Sequence, residues 1–473
     1  MNILYVASEV APFAASGGLG DVMGALPKTL AANTADTISV ILPLYASVSA
    51  EYREAMTLVD EFSFMYGWRH AYCGIHLLEQ DGVRYYFVDN EQYFYRSSLY
   101  GQYDDGERFA YFCRAVIEFM LRLSEHFDVL HANDWQSALA VIYLKTRFYD
   151  TESLRGIKTV YTIHNIEYQG KYDTYILGDI FDLDERFLPY LEYDGCLNLM
   201  KGAIVCADMV STVSPSYAKE LKDPFFAYGL APIIEANQNK LRGIINGIDT
   251  DTFSPKAPDT FYPYGSRDSA KGKLENKRAL QRMLGLEETD APLAVMITRL
   301  THGKGIDLVL HVFEEMMETG IQFVLLGTGE ESYERIFSDL CGRYPDRARA
   351  LIKFDRSLSK MMYAAADLFL MPSKSEPCGL AQMIACSYGT LPVVRKVGGL
   401  GDTIISPDRE GANGFVFRNF NAHELLFTVK DACALYENRQ AWRTMVKSAM
   451  KTDFSWNNSA KKYIEMYAEV MQK

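Results

Sequence analysis

Short apolar runs alternate with amphipathic stretches through most of this chain, and that alternation leaves few architectures open. Ile3–Ala7 is a buried-strand run, a Gly-rich turn follows it, and a helical pattern extends from about Asp21 to Leu30. Ile38–Leu42, Arg84–Val88, Val129–His131 and Lys158–Ile163 are further strand candidates, with helical patterns between several of them. Strands that alternate with helices predict a mostly parallel sheet covered by helices on both faces. The pattern then weakens and restarts. Asp251–Arg267 holds Pro255, Pro258 and Pro263 with little periodicity and reads as a hinge or surface loop. Beyond it, Leu293–Thr298, Phe323–Leu326, Asp367–Met371 and Leu391–Val394 read as strands, Ile306–Glu318 and Leu380–Tyr388 as helices, and helical patterns close the chain from about Ala422. The expectation is two doubly wound α/β domains, 1–245 and 246–453, and a final helix over 454–473. A chain of 473 residues can bury a full core in each.

Composition narrows the function classes. The net charge of −13 disfavours general binding to nucleic acid or an anionic membrane, while leaving room for a small anion in a local basic pocket. The eight cysteines are scattered with no pair at CxxC spacing, so free thiols are expected rather than a disulfide framework. No basic segment precedes the apolar run at Met1–Val6, and no run reaches the ~20 apolar residues that cross a bilayer. These features together predict a cytoplasmic protein. Aromatic residues make up 13 %, which fits a well-packed core better than surfaces that stack on sugar rings.

In open α/β sheets ligands bind beyond the carboxyl ends of the strands, so the strand-to-helix turns are the places to look. Two such sheets facing each other would hold a ligand in the cleft between them. The first turn, Ser16-Gly17-Gly18-Leu19-Gly20-Asp21, opens a helix. Glycines there let a backbone approach a phosphate, although the spacing is neither GxGxxG nor a P-loop and a plain tight turn would look the same. Arg299-Leu300-Thr301-His302-Gly303-Lys304-Gly305 places two cations beside a Gly-rich turn, a pairing suited to a pyrophosphate. Ser375-Glu376-Pro377-Cys378-Gly379-Leu380 leads into another helix. Glu376 there is either a charge favoured by the helix dipole or a carboxylate that orients sugar hydroxyls. His131-Ala132-Asn133-Asp134-Trp135 and Thr162-Ile163-His164-Asn165 end neighbouring strands, and both histidines are expected to line the ligand side. Asp134 could face an acceptor hydroxyl and His164 a sugar. Asp182-Leu183-Asp184 and Asp249-Thr250-Asp251 have a DxD look that surface pairs and helix caps share, and without HExxH or a Cys/His cluster no required metal is expected.

In this order, the motifs resemble the bacterial glycogen synthase and plant starch synthase family nearly end to end. The resemblance runs from Ser8-Glu9-Val10-Ala11-Pro12 through the glycine turn, Leu99-Tyr100-Gly101, Glu107–Phe112, His131–Trp135 and Thr162–Asn165. It continues with Asn246-Gly247-Ile248-Asp249, Arg299–Gly305, Glu376–Leu380 and Val397–Thr403, and ends at Asp453-Phe454-Ser455-Trp456. It implies a GT-B glycosyltransferase, two Rossmann-like domains facing across a cleft, with the last helix crossing back to the first domain. The implied reaction is metal-independent, retaining transfer of glucose from ADP-glucose to the non-reducing end of an α-1,4-glucan such as glycogen or a maltooligosaccharide. No other cofactor, nucleic acid or membrane is implied. By resemblance, His164, Arg299, Lys304 and Glu376 are the catalytic group. Gly18, Asp21, Asn246, Phe354, Cys378, Gly379 and Leu380 fall to the donor, Phe354 where the family packs an aromatic on adenine. Asp134 and Asn165 fall to the acceptor.

Three positions depart from the family pattern. Ala15 stands where the family usually carries a lysine two residues before the Gly-Gly pair, Gly303 where glutamine is common, and Ser373-Lys374-Ser375 where Ser-Arg-Phe is common. Loss of a charge-assisted contact of ~1.5–3 kcal/mol at Ala15 would weaken binding or rate by roughly ten- to over a hundredfold. A non-catalytic glucan-binding relative, or a GT-B glucosyltransferase using UDP-glucose, are the alternatives this leaves.

Overall fold

The computed structural model describes all 473 residues, which divide into two compact units, Met1–Asn246 with Trp456–Lys473, and Gly247–Ser455. The first unit is built on a nine-stranded sheet. Its spatial order is Leu241–Gly243, Met209–Thr212, Lys158–Ile163, Val129–Asn133, Asn2–Val6, Thr37–Pro43, Val83–Asp89, Arg69–Gln80 and Thr57–Tyr66. The first seven of these are parallel. The central ones are mainly apolar because helices cover both faces, and Ile3–Val6 and Val129–Asn133 are buried throughout. The last two strands form an antiparallel hairpin at one edge, Tyr66 pairing with Arg69 across its turn. There the pattern changes to alternation, with Phe62, Phe64 and Tyr66 buried and Ser63 and Met65 exposed.

The second unit holds a six-stranded, all-parallel sheet ordered Ala348–Leu351, Gln322–Leu326, Leu293–Ile297, Leu368–Met371, Leu391–Arg395 and Phe415–Phe417. In chain order this is 3-2-1-4-5-6, the Rossmann arrangement. Each sheet therefore reverses its winding at one point. In the first unit it lies between Asn2–Val6 and Val129–Asn133, and in the second between Leu293–Ile297 and Leu368–Met371. The Gly-rich and polar turns singled out above follow these four strands and, for His164, the neighbouring strand Lys158–Ile163.

The final helix, Trp456–Met471, belongs to the first unit and buries Tyr463, Met466, Tyr467 and Val470. The expected helix Ile306–Glu318 is broken at Val312 into Ile306–His311 and Phe313–Glu318. The Pro-containing stretch 251–267 has no helix or strand, yet it is anchored by buried Tyr264, whose hydroxyl donates to the Tyr388 carbonyl at 2.7 Å. No helix is long and apolar enough to cross a membrane.

Candidate functional site

In the first unit the glycine turn is held by a carboxylate that sequence reasoning gave no role. Glu9 is buried, and accepts from the Ser16 backbone N–H (2.5 Å), the Ser16 hydroxyl (2.9 Å) and the Gly17 N–H (3.1 Å). The turn is thus pinned from beneath, and the helix Gly18–Asn33 starts at a defined place. A Cβ placed on Gly17 or Gly18 would meet nothing within 4 Å, so packing inside the chain does not explain these glycines, whereas close approach of a ligand would. Asp21 lies exposed in the first turn of that helix. Ala15 is exposed beside it.

Across the switch point, Asp134 follows the strand Val129–Asn133 with φ +56° and ψ −178°. That backbone region is essentially reserved for glycine, and holding another residue there costs about 1–3 kcal/mol. The geometry aims the carboxylate at the next strand's end. Oδ1 accepts from the His164 N–H at 2.7 Å and the Asn165 N–H at 3.4 Å. Burial pushes the Asp134 carboxyl up to about 7, against those two hydrogen bonds, which pull it down.

The two histidines part company here. His164 is buried and Asn133 Oδ1 lies 3.0 Å from its Nε2. The Asn133 amide donates to the Val6 and His131 carbonyls, so its oxygen is the acceptor and Nε2 of His164 carries the proton. Nδ1 is left with a lone pair. Burial pushes His164 down to about 3, so the ring is neutral. His131, expected on the ligand side, is instead a structural residue. Its Nδ1 meets the Tyr467 hydroxyl of the last helix at 2.7 Å and its Nε2 the Thr162 hydroxyl at 2.6 Å. Tyr467 also bonds Tyr5, and Thr162 bonds Ser211 at 2.6 Å, giving a satisfied buried network. The strand end was read correctly in sequence, but a helix 336 residues further along covers it.

Asn246 closes the first unit's set. It is buried, and its Oδ1 has no hydrogen-bond partner. An orphaned buried acceptor is uncommon and is the kind of group a ligand hydroxyl satisfies. Asn165 is half-buried and its Oδ1 accepts from the Glu167 N–H at 3.0 Å, which shapes the loop after His164.

The second unit's cluster is assembled by two turns that touch. Lys304 Nζ lies 2.7 Å from Glu376 Oε2, and the Ser373 hydroxyl donates to the same oxygen at 3.0 Å. Glu376 is buried and Lys304 only partly so, leaving the ammonium in reach of solvent. Close approach of the turns requires glycine. Gly305 has φ +72°, and a Cβ there would sit 2.0 Å from the Pro372 carbonyl oxygen. Gly398 has φ +44°, and its Cβ would fall 2.0 Å from the Glu376 carbonyl oxygen. The Lys374 N–H donates to the Gly303 carbonyl at 2.9 Å, and Arg395 donates to the Ser373 and Lys374 carbonyls. Arg395 and the Gly398-Gly399 pair are positioning residues that sequence reasoning did not assign.

Arg299 is exposed and its guanidinium has no partner in the chain. Cys378 is buried, and the N–H groups of Gly379 and Leu380 find no acceptor within the chain. Phe354, three residues past the strand Ala348–Leu351, is 89 % exposed. The DxD pairs are accounted for by ordinary contacts. Asp182 pairs with Arg147 at 2.9 Å, Asp184 caps a short helix, and Asp249 accepts from Asp251 and Thr252. No three His, Cys, Asp or Glu side chains come together as metal ligands.

Chemically, the second unit presents two cations, a buried carboxylate and free N–H groups at one switch point, a set whose charges and donors suit a diphosphate and a polyhydroxylated ring. The first unit presents a pinned glycine turn, a neutral imidazole, an elevated carboxyl and an orphaned amide oxygen. Comparison with known proteins finds a family model for each stretch. Residues 2–236 match the model of the starch synthase catalytic domain and residues 279–448 that of the group 1 glycosyl transferases. The chain is 45 % identical over 477 residues to glycogen synthase of Bacillus cereus (strain B4264), with all of each chain covered. It is 44 % identical to glycogen synthase of Geobacillus thermodenitrificans, covering 98 % of that protein. Among solved structures, the catalytic domain of Arabidopsis thaliana starch synthase IV bound to ADP and acarbose superposes with TM-score 0.90 at 33 % identity, over 100 % of this chain and 99 % of that one. Sucrose-phosphate synthase from Thermosynechococcus elongatus shares the fold at TM-score 0.62 and 17 % identity.

Proposed function

The chain belongs to the bacterial glycogen synthase and plant starch synthase family of GT-B glycosyltransferases, and from that premise we propose how its residues divide the work. The donor is ADP-glucose and the acceptor the non-reducing end of an α-1,4-glucan, in the cytoplasm, with no metal required and no nucleic acid or membrane as partner. Transfer retains the anomeric configuration and releases ADP. The solved relative holds ADP and acarbose, a nucleoside diphosphate and an oligosaccharide, which supports the same pair of ligand classes here.

As the bond from the anomeric carbon to the diphosphate oxygen breaks, negative charge grows on the departing ADP. Arg299 and Lys304 stabilise it, Arg299 with both guanidinium edges free and Lys304 from its place against Glu376. The Glu376 carboxylate, with Cys378 and the Gly379 and Leu380 N–H groups, holds the glucosyl unit. Phe354 offers an open ring face to the adenine. Gly18 and Asp21 meet the donor at the glycine turn, and the orphaned Asn246 Oδ1 accepts from a sugar hydroxyl. The acceptor hydroxyl attacks on the face the diphosphate leaves, and the diphosphate takes its proton. Asp134 fixes the His164 backbone, whose carbonyl faces the anomeric carbon, and with Asn165 it borders the acceptor.

The observation that carries this reading is the Lys304–Glu376 pair at 2.7 Å beside an unpartnered Arg299. Lys304→Ala and Glu376→Ala should each lower kcat by at least ~100-fold, the scale on which lost transition-state charge stabilisation is felt, while circular dichroism stays unchanged. Near-normal turnover in either variant would sink the assignment. Ala15 favours one second reading, a glucan-binding relative without transfer. Glucan binding with no nucleotide binding would establish it.

A further inference from the structure

One exposed aromatic in the first unit is held as a binding platform is held. Trp68 follows Gly67 in the two-residue turn of the edge hairpin, Gly67 taking φ +56°. Its ring is 74 % exposed, yet it is not loose. The indole N–H donates to Asp179 Oδ1 at 2.6 Å, and the Arg69 guanidinium lies 4.6 Å from the ring centroid. Arg69 is itself fixed by Glu107 at 3.1 Å and by the Asp179 carbonyl at 2.9 Å. Tyr66 at the other side of the turn donates to the Ile180 carbonyl. A large ring fixed at its N–H edge, with Arg69 over one face and most of the residue exposed, is not a packing residue, because it buries little surface.

Its place in the fold says what it faces. The strand Arg69–Gln80 pairs with Val83–Asp89 only as far as Gly74 opposite Asp89, so residues 69–73 run on past the carboxyl edge of the parallel sheet. Five residues at ~3.3 Å each carry the turn roughly 16 Å beyond that edge. This is the edge from which the glycine turn and Asp134 emerge. The two places are joined by one segment of chain. Tyr100 bonds Ser8, next to Glu9, at 2.8 Å, and Glu107 bonds Arg69, while fully exposed Tyr103 lies between them.

We propose that Trp68, with Arg69 and Asp179, forms a distal α-glucan subsite on the first unit, where the ring stacks on a glucosyl residue of the acceptor chain remote from the residue being extended. Stacking uses the apolar C–H face of a pyranose, and the Asp179 carboxylate and Arg69 guanidinium around the ring suit its equatorial hydroxyls. A protein partner would have to desolvate those same charges. The inference rests on the α-glucan acceptor proposed above.

The test uses the full chain without donor. Electrophoresis through native gels containing glycogen should retard the wild-type protein, and Trp68→Ala should weaken the dissociation constant about tenfold, the factor one ordinary contact commands. Trp68→Phe should restore most of the retardation. Tyr149→Ala, an exposed ring at the opposite, amino-terminal edge of the sheet, should match the wild type. In steady state, the ratio of KM for glycogen to KM for maltotriose should rise in Trp68→Ala. Independently of any alanine variant, maltoheptaose should perturb wild-type tryptophan fluorescence in a way absent from Trp68→Phe. Undiminished retardation of folded Trp68→Ala, no Trp68-dependent fluorescence change, or a Trp68-dependent change in self-association alone would each overturn the proposal. Wild-type glucan binding without transfer would instead defeat the proposed reaction and leave the subsite standing.

Discussion

Ala15 stands where the family resemblance implies a lysine, on a turn that is held in place from beneath. Glu9 still grips Ser16 and Gly17. Ala15→Lys should therefore raise kcat/KM for ADP-glucose by roughly tenfold or more, the value of one charge-assisted contact, as read by initial rates at subsaturating donor. No change would mean that the turn does not meet the donor. The buried ionisable groups make a second prediction. His131 and His164 are held at about 3, below the ordinary 6.5, so their stabilising contribution is complete above pH 6.5 and is lost as pH falls toward 3. Asp134 runs the other way. Held at about 7, above the ordinary 3.8, it contributes fully below pH 3.8 and loses that contribution as pH rises through 7. Between pH 6 and 4.5 two histidines oppose one carboxyl, so stability should fall by about 1.4 kcal/mol per pH unit, and Asp134→Asn should roughly double that slope in urea denaturation. An unchanged slope in the variant would contradict the burial of Asp134. Arg299, Lys304 and Glu376 were legible in sequence because polar residues on strand-to-helix turns stand out against apolar strands. Glu9 was not, since its partners lie seven and eight residues away and meet it only once the turn has folded.

At the scale of elements, the two turns of the second unit depend on each other. Gly305→Ala would place a methyl 2.0 Å from the Pro372 carbonyl oxygen at φ +72°, with no flexible side chain to give way. It should destabilise the unit by at least ~2 kcal/mol and displace Lys304 from Glu376, so that melting temperature and turnover fall together. A variant with wild-type melting and activity would show that the turns are not coupled. The parallel strands near each sheet's centre were readable as apolar runs. The hairpin Thr57–Tyr66 and Arg69–Gln80 was not, because its alternation is interrupted by Asp60, Gly74 and exposed Leu58 and Val59 on an edge covered on one face only. Leu241–Gly243, Ala348–Leu351 and Phe415–Phe417 were too short to register. The break at Val312 also left no mark, since both halves of that helix keep the same apolar face.

At the scale of the molecule, two parallel sheets each bring their chemistry to a switch point, and the last helix returns to the first unit through Tyr467 and His131. The sequence showed the two halves by the restart of its pattern, while the burial of His131 depended on a contact between chain ends that no local pattern encodes. These two sets of groups are proposed to carry out glucosyl transfer from a nucleoside diphosphate sugar. That transfer is tested most directly by nucleoside diphosphate release with glycogen as acceptor, run in parallel with ADP-glucose and UDP-glucose. The expected result is ADP release matched by glycogen growth, both dependent on Lys304. Release from UDP-glucose alone would contradict the donor, and release from neither, with glycogen still bound, would contradict the transfer itself.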